Sequence, residues 1–217
     1  IMNRTARKQK KNRISNVILE FIQTNSKTCL ILLIIFFIGV LLGVIFVNNC
    51  KETQENQIKS YIQNFVDGIR ENYQISSTKL LWNAIMKNFI TALVLWFLGL
   101  TLIGVPLIYL FIGYKGYCIG FTAASIIATL GGAKGTLFIA STMLLQNIIY
   151  IPIIIALATS SVKLYKKIME DRRRENIKTQ ILKHTIFSVF MLVILILNSF
   201  IEAYISGGIS SMLLKYC

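Results

Sequence analysis

Acidic residues and histidine are scarce in this sequence. Nine Asp or Glu and one histidine stand against 23 Lys or Arg, and the four cysteines form neither a CxxC pair nor a cluster with the histidine. A structural zinc site needs about four clustered Cys or His ligands, so we expect no bound metal and no cofactor. Catalysis by a nucleophile with its base, or by a metal, also lacks its usual residues. The sequence therefore predicts a protein that is not an enzyme.

Long polar segments are also rare. Hydrophobic residues make up 55% of the chain and charged residues 15%, a composition typical of integral membrane proteins. Residues 89–162 carry only two charges, Lys115 and Lys134. Because a helical span takes about 20 apolar residues and lipid offers no partner for the backbone, this block has the length of three helices. With the apolar runs 29–47 and 184–205, the sequence predicts an all-α, polytopic integral membrane protein with about five transmembrane helices.

The excess of positive charge decides the expected topology. The formal net charge of +14 is concentrated in the amino-terminal segment 1–28 and in the loop 163–183. The positive-inside rule places both segments in the cytoplasm, and it favours topology over nucleic-acid binding as the role of these charges. Residues 48–88 and the tail 206–217 carry little net charge, so we expect them on the extracytoplasmic side. The amino terminus is then cytoplasmic and the carboxyl terminus extracytoplasmic.

The number of crossings in the block 89–162 follows from this topology. The chain enters the block from outside and leaves it into the basic loop, so the number of crossings is odd, and three fits the length. Three crossings place Lys115 in an inner turn and Lys134 in an outer turn. The segment 106–130 between these turns is short, so a complete span and a re-entrant element both remain open.

The cysteines suggest little chemistry. Cys29 and Cys118 lie within or beside predicted spans, where a free cysteine behaves as a small apolar residue. Cys50 and Cys217 would share the extracytoplasmic side, where a disulfide between them is possible.

The extracytoplasmic segment 48–88 has a helical pattern of apolar residues. A helix from about Thr53 to Tyr73 would have one apolar face and one polar face. This face either packs on the protein's own spans and on membrane lipids or docks an extracytoplasmic partner, and the sequence does not choose between them. The docking candidates are Ile58, Tyr61, Ile62, Phe65, Ile69 and Tyr73.

Small and polar residues within the spans indicate where helices pack. Gly39 and Gly43 form a GxxxG pair, for which packing inside the chain is favoured over a dimer, although a homo-oligomer stays open. Glu202 is the only carboxylate within a predicted span, and an intramembrane acid is a functional candidate by default. The other candidates for helix packing or for polar contacts in the core are Gly104, Pro106, Gly116, Gly120, Gln146, Asn147 and Asn198.

Several motifs of the apolar block occur in an order typical of one family. They are Asn88, GLTLIGVPLI at 99–108, YKGYCIGF at 114–121, GAKG at 132–135, and LQN at 145–147 followed by Pro152. With these motifs the chain resembles the stage II sporulation protein M family over essentially its whole length. The resemblance implies a polytopic protein of endospore-forming bacteria that acts at the septal or engulfing membrane of the mother cell. It also implies two partners, the peptidoglycan hydrolases named stage II sporulation proteins D and P.

Two functional hypotheses follow. The first is a non-catalytic membrane scaffold that recruits septal peptidoglycan hydrolases during engulfment. The alternative is a small membrane permease or channel, because helices broken by glycine and proline, as expected in 99–152, often build substrate sites in transporters. The scarcity of charges within the spans favours the scaffold.

Overall fold

The computed structural model describes residues 25–50, 52–71, 77–101, 103–170 and 174–206. These residues form six α-helices and a π-helical segment, and they contain no strand. The predicted all-α fold is therefore confirmed. The helices are α1 (Ser26–Asn48), α2 (Glu52–Glu71), α3 (Ser77–Leu98), α4 (Gly104–Leu130), α5 (Gly132–Glu170) and α6 (Arg174–Phe200), and the π-helical segment is Ile201–Ser206.

Five stretches of these helices have the length and composition to cross a membrane, as predicted. α2 is polar and is not among them. The five are Ser26–Asn48, Thr78–Leu98, Gly104–Leu130, Gln146–Met169 and Ile177–Tyr204.

The glycines and prolines of the apolar block do not break its helices. Pro106 is the third residue of α4, in the first turn, where a missing backbone N–H leaves no intrahelical bond unmade. α4 then continues for 27 residues, about 40 Å along its axis, which is enough for a complete span and has no re-entrant break. Pro152 lies inside α5, which is also continuous. The permease hypothesis thus loses the broken helices on which it was based.

One prediction about the turns is wrong. Lys115 is the twelfth residue of α4 and lies in the middle of a span rather than in an inner turn. The turn before α4 lies instead between Leu98, where α3 ends, and Gly104, where α4 begins. The turn after it is at Gly131, whose φ of 86° favours glycine. Lys134 lies in the first turn of α5, next to this second turn, as expected.

Contacts between helices fix their relative directions. α1 is parallel to α4, because Phe36 lies beside Gly116 and Gly43 lies beside Gly120. α3 is antiparallel to α6, since Asn88 meets Ser199 whereas the later Trp96 meets the earlier Thr185. α5 packs against α4 and α6 as the antiparallel partner of both. This alternation agrees with the topology expected from the charges.

The centre of the bundle is α5. In its span 61% of the residues are buried inside the protein, against 28% in each of the other four. α1, α3 and α6 instead expose apolar side chains along their outer faces, for example Phe37, Leu93 and Val193. Such faces suit contact with lipid tails.

α2 lies at the end of the bundle where α4 turns into α5. The first part of α5, before Gln146, lies outside its span, and with the end of α4 it forms a hairpin. In this hairpin Gly135 is so close to Ile127 that an added Cβ would lie 2.7 Å from the Ile127 Cα. α2 contacts α4 and packs Ile62 against Phe138 in the hairpin. The predicted amphipathic helix is present, and its position is set by this contact.

Candidate functional site

Four of the five predicted packing glycines, Gly39, Gly43, Gly116 and Gly120, meet in one place, the α1–α4 seam. Each allows a backbone contact that a side chain would block. A Cβ added to Gly39 would overlap the carbonyl oxygen of Gly113, and one added to Gly43 would overlap that of Tyr117. Because the GxxxG face of α1 is covered by α4, it is used inside the chain.

Glycines on α4 complete this seam from the other side. A Cβ on Gly116 would overlap the carbonyl oxygen of Phe36, and a Cβ on Gly120 would overlap that of Val40. Gly104 belongs to another contact, because its Cβ would overlap the carbonyl oxygen of Leu98 at the turn before α4. Helices that approach this closely exclude water and lipid from the seam.

A second set of contacts brings polar residues together inside the bundle. We call it the polar cluster. It includes residues from α3, α4, α5, α6 and the π-helical segment, and it extends from the middle of the bundle to the end of α6. Its members are Lys87, Asn88, Thr91, Lys115, Tyr150, Ser199 and Glu202.

Asn88 joins α3 to α6. Its side chain is fully buried, and Nδ2 donates to Ser199 Oγ at 2.8 Å and to the Leu195 carbonyl at 3.3 Å. Ser199 Oγ in turn donates to the same carbonyl at 3.1 Å. Asn88 is the twelfth of the 22 residues of α3 and Ser199 is the last but one residue of α6, so these bonds join the middle of α3 to the end of α6. Interhelical hydrogen bonds in membranes typically contribute about 0.6–2 kcal/mol each.

Glu202 forms an ion pair at the edge of the cluster. Its Oε1 lies 3.6 Å from Lys87 Nζ, and the side chains are 23% and 54% exposed, respectively. The predicted intramembrane acid is therefore compensated by a lysine of α3. Its other oxygen, Oε2, is buried without a hydrogen-bond partner.

Lys115 carries a charge near the middle of the membrane. Its Nζ donates to Thr91 Oγ1 at 3.0 Å and lies 5.3 Å from the centre of the Phe111 ring. Thr91 in turn donates to the Lys87 carbonyl at 2.8 Å. Among the described residues no carboxylate pairs with Lys115. A hydroxyl and an aromatic face compensate an ammonium only in part.

Two further buried residues have unused polar atoms. Asn198 is 1% exposed, and neither its Nδ2 nor its Oδ1 has a partner within the described structure. The Tyr150 hydroxyl is also buried, and it approaches Thr91 without reaching hydrogen-bond geometry. Asn88 adds an unpartnered Oδ1. Each such atom is costly in a membrane interior when it has no partner.

The comparison with known families matches this chain to the family described as Stage II sporulation protein M, over residues 32–207. The chain belongs to the stage II sporulation protein M family. The match includes most of α1, the α1–α4 seam, the polar cluster and the π-helical segment. No curated protein and no solved structure matches the chain. Membership in the stage II sporulation protein M family makes this a membrane protein related to sporulation.

Sequence reasoning found only part of the polar cluster. Of the candidates, Glu202 belongs to it, and Asn198 is buried next to Ser199 along α6. Gln146 and Asn147 are half-buried on α5, and Gln146 lies one turn before Tyr150. Lys87 and Thr91 were missed, although a lysine followed by asparagine in the middle of a span was a usable signal.

A smaller polar group lies at the opposite end of the bundle. His184 is buried, and its Nδ1 lies 2.9 Å from Ser160 Oγ while its Nε2 has no partner in the described structure. Beside it, Trp96 Nε1 donates to Thr185 Oγ1 at 3.1 Å. Packing of α6 against α5 buries this histidine. Within the described residues no three His, Cys, Asp or Glu side chains lie close enough together to hold a metal ion.

The docking candidates on α2 differ in how exposed their side chains are. Ile58 and Ile62 are half-buried, and Ile62 packs on the hairpin, whereas Tyr61 is 77% exposed. The side chains of Phe65 and Ile69, and all of Tyr73, lie outside the described residues. The helix thus packs on the protein's own helices through Ile62, and Tyr61 stays a docking candidate.

Of Cys50 and Cys217, which we expect on the extracytoplasmic side, only Cys50 lies among the described residues. Cys50 Sγ donates to the Phe46 carbonyl at 3.1 Å at the end of α1. Cys217 lies outside the described residues, so their pairing stays a prediction.

Proposed function

We propose that this chain is a non-catalytic scaffold of the septal or engulfing membrane that recruits stage II sporulation proteins D and P. Two facts support the proposal: membership in the stage II sporulation protein M family, and an amphipathic helix held outside the spans. In this proposal α2 and the hairpin lie on the extracytoplasmic side, where peptidoglycan is.

The observation that carries the proposal is the orientation of α2. Ile62 anchors the helix to Phe138 of the hairpin, while the adjacent Tyr61 points away and is 77% exposed. Tyrosine is enriched at protein interfaces because it combines a large apolar area with a polar group and few rotatable bonds. A helix that is fixed on one side and presents an aromatic side chain on the other suits the capture of a partner.

Crosslinked capture from membranes of sporulating cells tests this proposal. The tagged native chain should recover both hydrolases, and Tyr61→Glu should reduce recovery by about tenfold, because a charge replaces an aromatic contact of the size of an interface hot spot. Gln63→Glu adds the same charge at an exposed position of the same helix and should leave recovery unchanged. Abundance is matched by immunoblot.

Two results would contradict the scaffold. One is a native chain that recovers neither hydrolase, and the other is Tyr61→Glu recovering as much as Gln63→Glu. The topology is tested separately with an impermeant thiol reagent on intact cells. Single cysteines at Ser60 and Lys178 serve as reporters, and only the one at Ser60 should react.

A further inference from the structure

Two lysines lie near the middle of membrane spans. Lys87 is the eleventh of the 22 residues of α3, and Lys115 is the twelfth of the 27 residues of α4. Thr91 joins them, because its Oγ1 accepts from Lys115 Nζ at 3.0 Å and donates to the Lys87 carbonyl at 2.8 Å. Ionisable side chains at this depth are rare, and they usually pair with one another or mark a functional site.

Neither lysine is enclosed by the bundle. The Lys87 side chain is 54% exposed, and that of Lys115 is half-buried. Exposed apolar side chains accompany them, Ile90 on α3 and Leu107 on α4. We call these four residues the lysine face. Because the face lies within two spans, lipid tails would cover it in an isolated chain, and lipid tails offer an ammonium no partner.

The charges of the lysine face do not balance. Glu202 Oε1 lies 3.6 Å from Lys87 Nζ, which leaves Lys115 without a carboxylate among the described residues. The Phe111 ring, whose centre lies 5.3 Å from Lys115 Nζ, compensates only part of this charge. One further negative charge at the same depth would complete the pairing of the face.

Depth narrows the choice of a partner that could bring this negative charge. Lys115 lies eleven residues after the start of α4, about 16 Å along the helix axis and roughly half of the hydrocarbon thickness. Lipid phosphates stay at the membrane surfaces, and the bond to Thr91 directs the ammonium at α3 rather than at a surface. A second copy of the chain would bring a lysine face that is itself net positive.

We propose that the lysine face docks a transmembrane helix of another protein, which carries an aspartate or glutamate near its middle. The carboxylate pairs with Lys115, and apolar side chains of the same helix pack on Ile90 and Leu107. Each charge relieves the other, because an isolated carboxylate is also costly in lipid. The lysine face is separate from α2, so this proposal does not depend on the scaffold proposal.

A synthetic transmembrane peptide tests the lysine face with the full chain in liposomes. The peptide is a helix of leucine and alanine, about 20 residues long, with one glutamate at its centre and an acceptor dye at one end. The chain carries a donor dye at its amino terminus, and matched peptides have glutamine or lysine at the centre. Energy transfer should reach half its maximum at roughly tenfold less of the glutamate peptide than of the glutamine peptide, because a desolvated charge pair is stronger than a neutral contact.

Two variants locate the contact. Lys115→Met nearly keeps the length of the side chain but removes its charge, so it should lose the preference for glutamate. Lys79→Met, at an exposed position in the first turn of α3, should keep it. Lys115→Glu should reverse the preference in favour of the lysine peptide, which a merely destabilised chain would not do. Folding is checked by the thermal midpoint in detergent, and the comparison of peptides on the native chain needs no variant.

Equal energy transfer for the glutamate and glutamine peptides would overturn the proposal. A preference for glutamate that survives in Lys115→Met would also overturn it, because the carboxylate would then bind elsewhere. Copies of the chain labelled with the two dyes give a third result. Energy transfer between them that is lost in Lys115→Met would overturn the proposal in favour of a dimer.

Discussion

The α1–α4 seam and the α3–α6 interface are two solutions to the same problem of joining helices in lipid. In the seam, Gly39 and Gly116 let backbones touch, and no polar side chain is needed. At the α3–α6 interface, Asn88 and Ser199 connect the helices by hydrogen bonds, with unpartnered atoms beside them. Close packing is therefore separated in space from polar chemistry. The seam joins two backbones directly, and the interface joins polar side chains.

The two regions should differ in their sensitivity to an added methyl group. Gly116→Ala would place a Cβ against the Phe36 carbonyl oxygen, which belongs to a helical backbone and cannot move alone. We expect a loss of about 3 kcal/mol or more in the free energy of unfolding, at or above the upper range for overpacked cores. Unfolding with SDS in mixed micelles, followed by circular dichroism, measures it.

Gly113→Ala is the matched control in the same helix. Its Cβ would lie 3.4 Å from Ile35 Cγ2, an ordinary contact, and alanine favours a helix by up to about 1 kcal/mol over glycine. The control should be neutral or stabilising. Equal losses for the two variants would show that α1 and α4 do not touch through their backbones.

Polar contacts across α3 and α6 should give a smaller effect. Asn88→Leu removes the two bonds that Nδ2 donates to Ser199 and Leu195, so we expect a loss of about 1–2 kcal/mol in the same unfolding assay. Asn83→Leu, at an exposed position of the same helix, should cause no loss. A gain in stability for Asn88→Leu would mean that the unpartnered Oδ1 costs more than the two bonds contribute.

The comparison also separates what a sequence can predict from what it cannot. Gly39 and Gly43 predict a packing face from the sequence alone. A helix has 3.6 residues per turn, so two residues four positions apart lie on the same face. The polar cluster has no such signature, since Asn88, Tyr150 and Glu202 come from three different helices. Their meeting depends on which helices are neighbours, and periodicity says nothing about that. The same limit explains Lys115. The number of crossings and the length of the block predict an inner turn for it, whereas its partner Thr91 belongs to another helix and holds it within a span.

The far end of the α3–α6 interface offers a weaker polar contact. Trp96→Phe removes the bond from Nε1 to Thr185 Oγ1 while keeping most of the ring, and we expect a loss of about 1 kcal/mol. Trp82 is 63% exposed, so Trp82→Phe should change stability by much less. If both variants behave alike in the unfolding assay, this contact does not hold the helices together.

The smallest effect is expected for the ion pair at the edge of the cluster. A double-mutant cycle of Lys87→Met and Glu202→Gln should give a coupling of about 0.5 kcal/mol, because the charges are 3.6 Å apart and Lys87 is more than half exposed. If water reaches the pair, the coupling falls as salt rises from about 0.05 M to about 0.5 M, because screening strengthens with ionic strength. A pair covered by detergent or lipid would keep its coupling at high salt. Such a result would mean that water reaches neither the α3–α6 interface nor the α1–α4 seam. The two regions would then differ only in the side chains that join their helices.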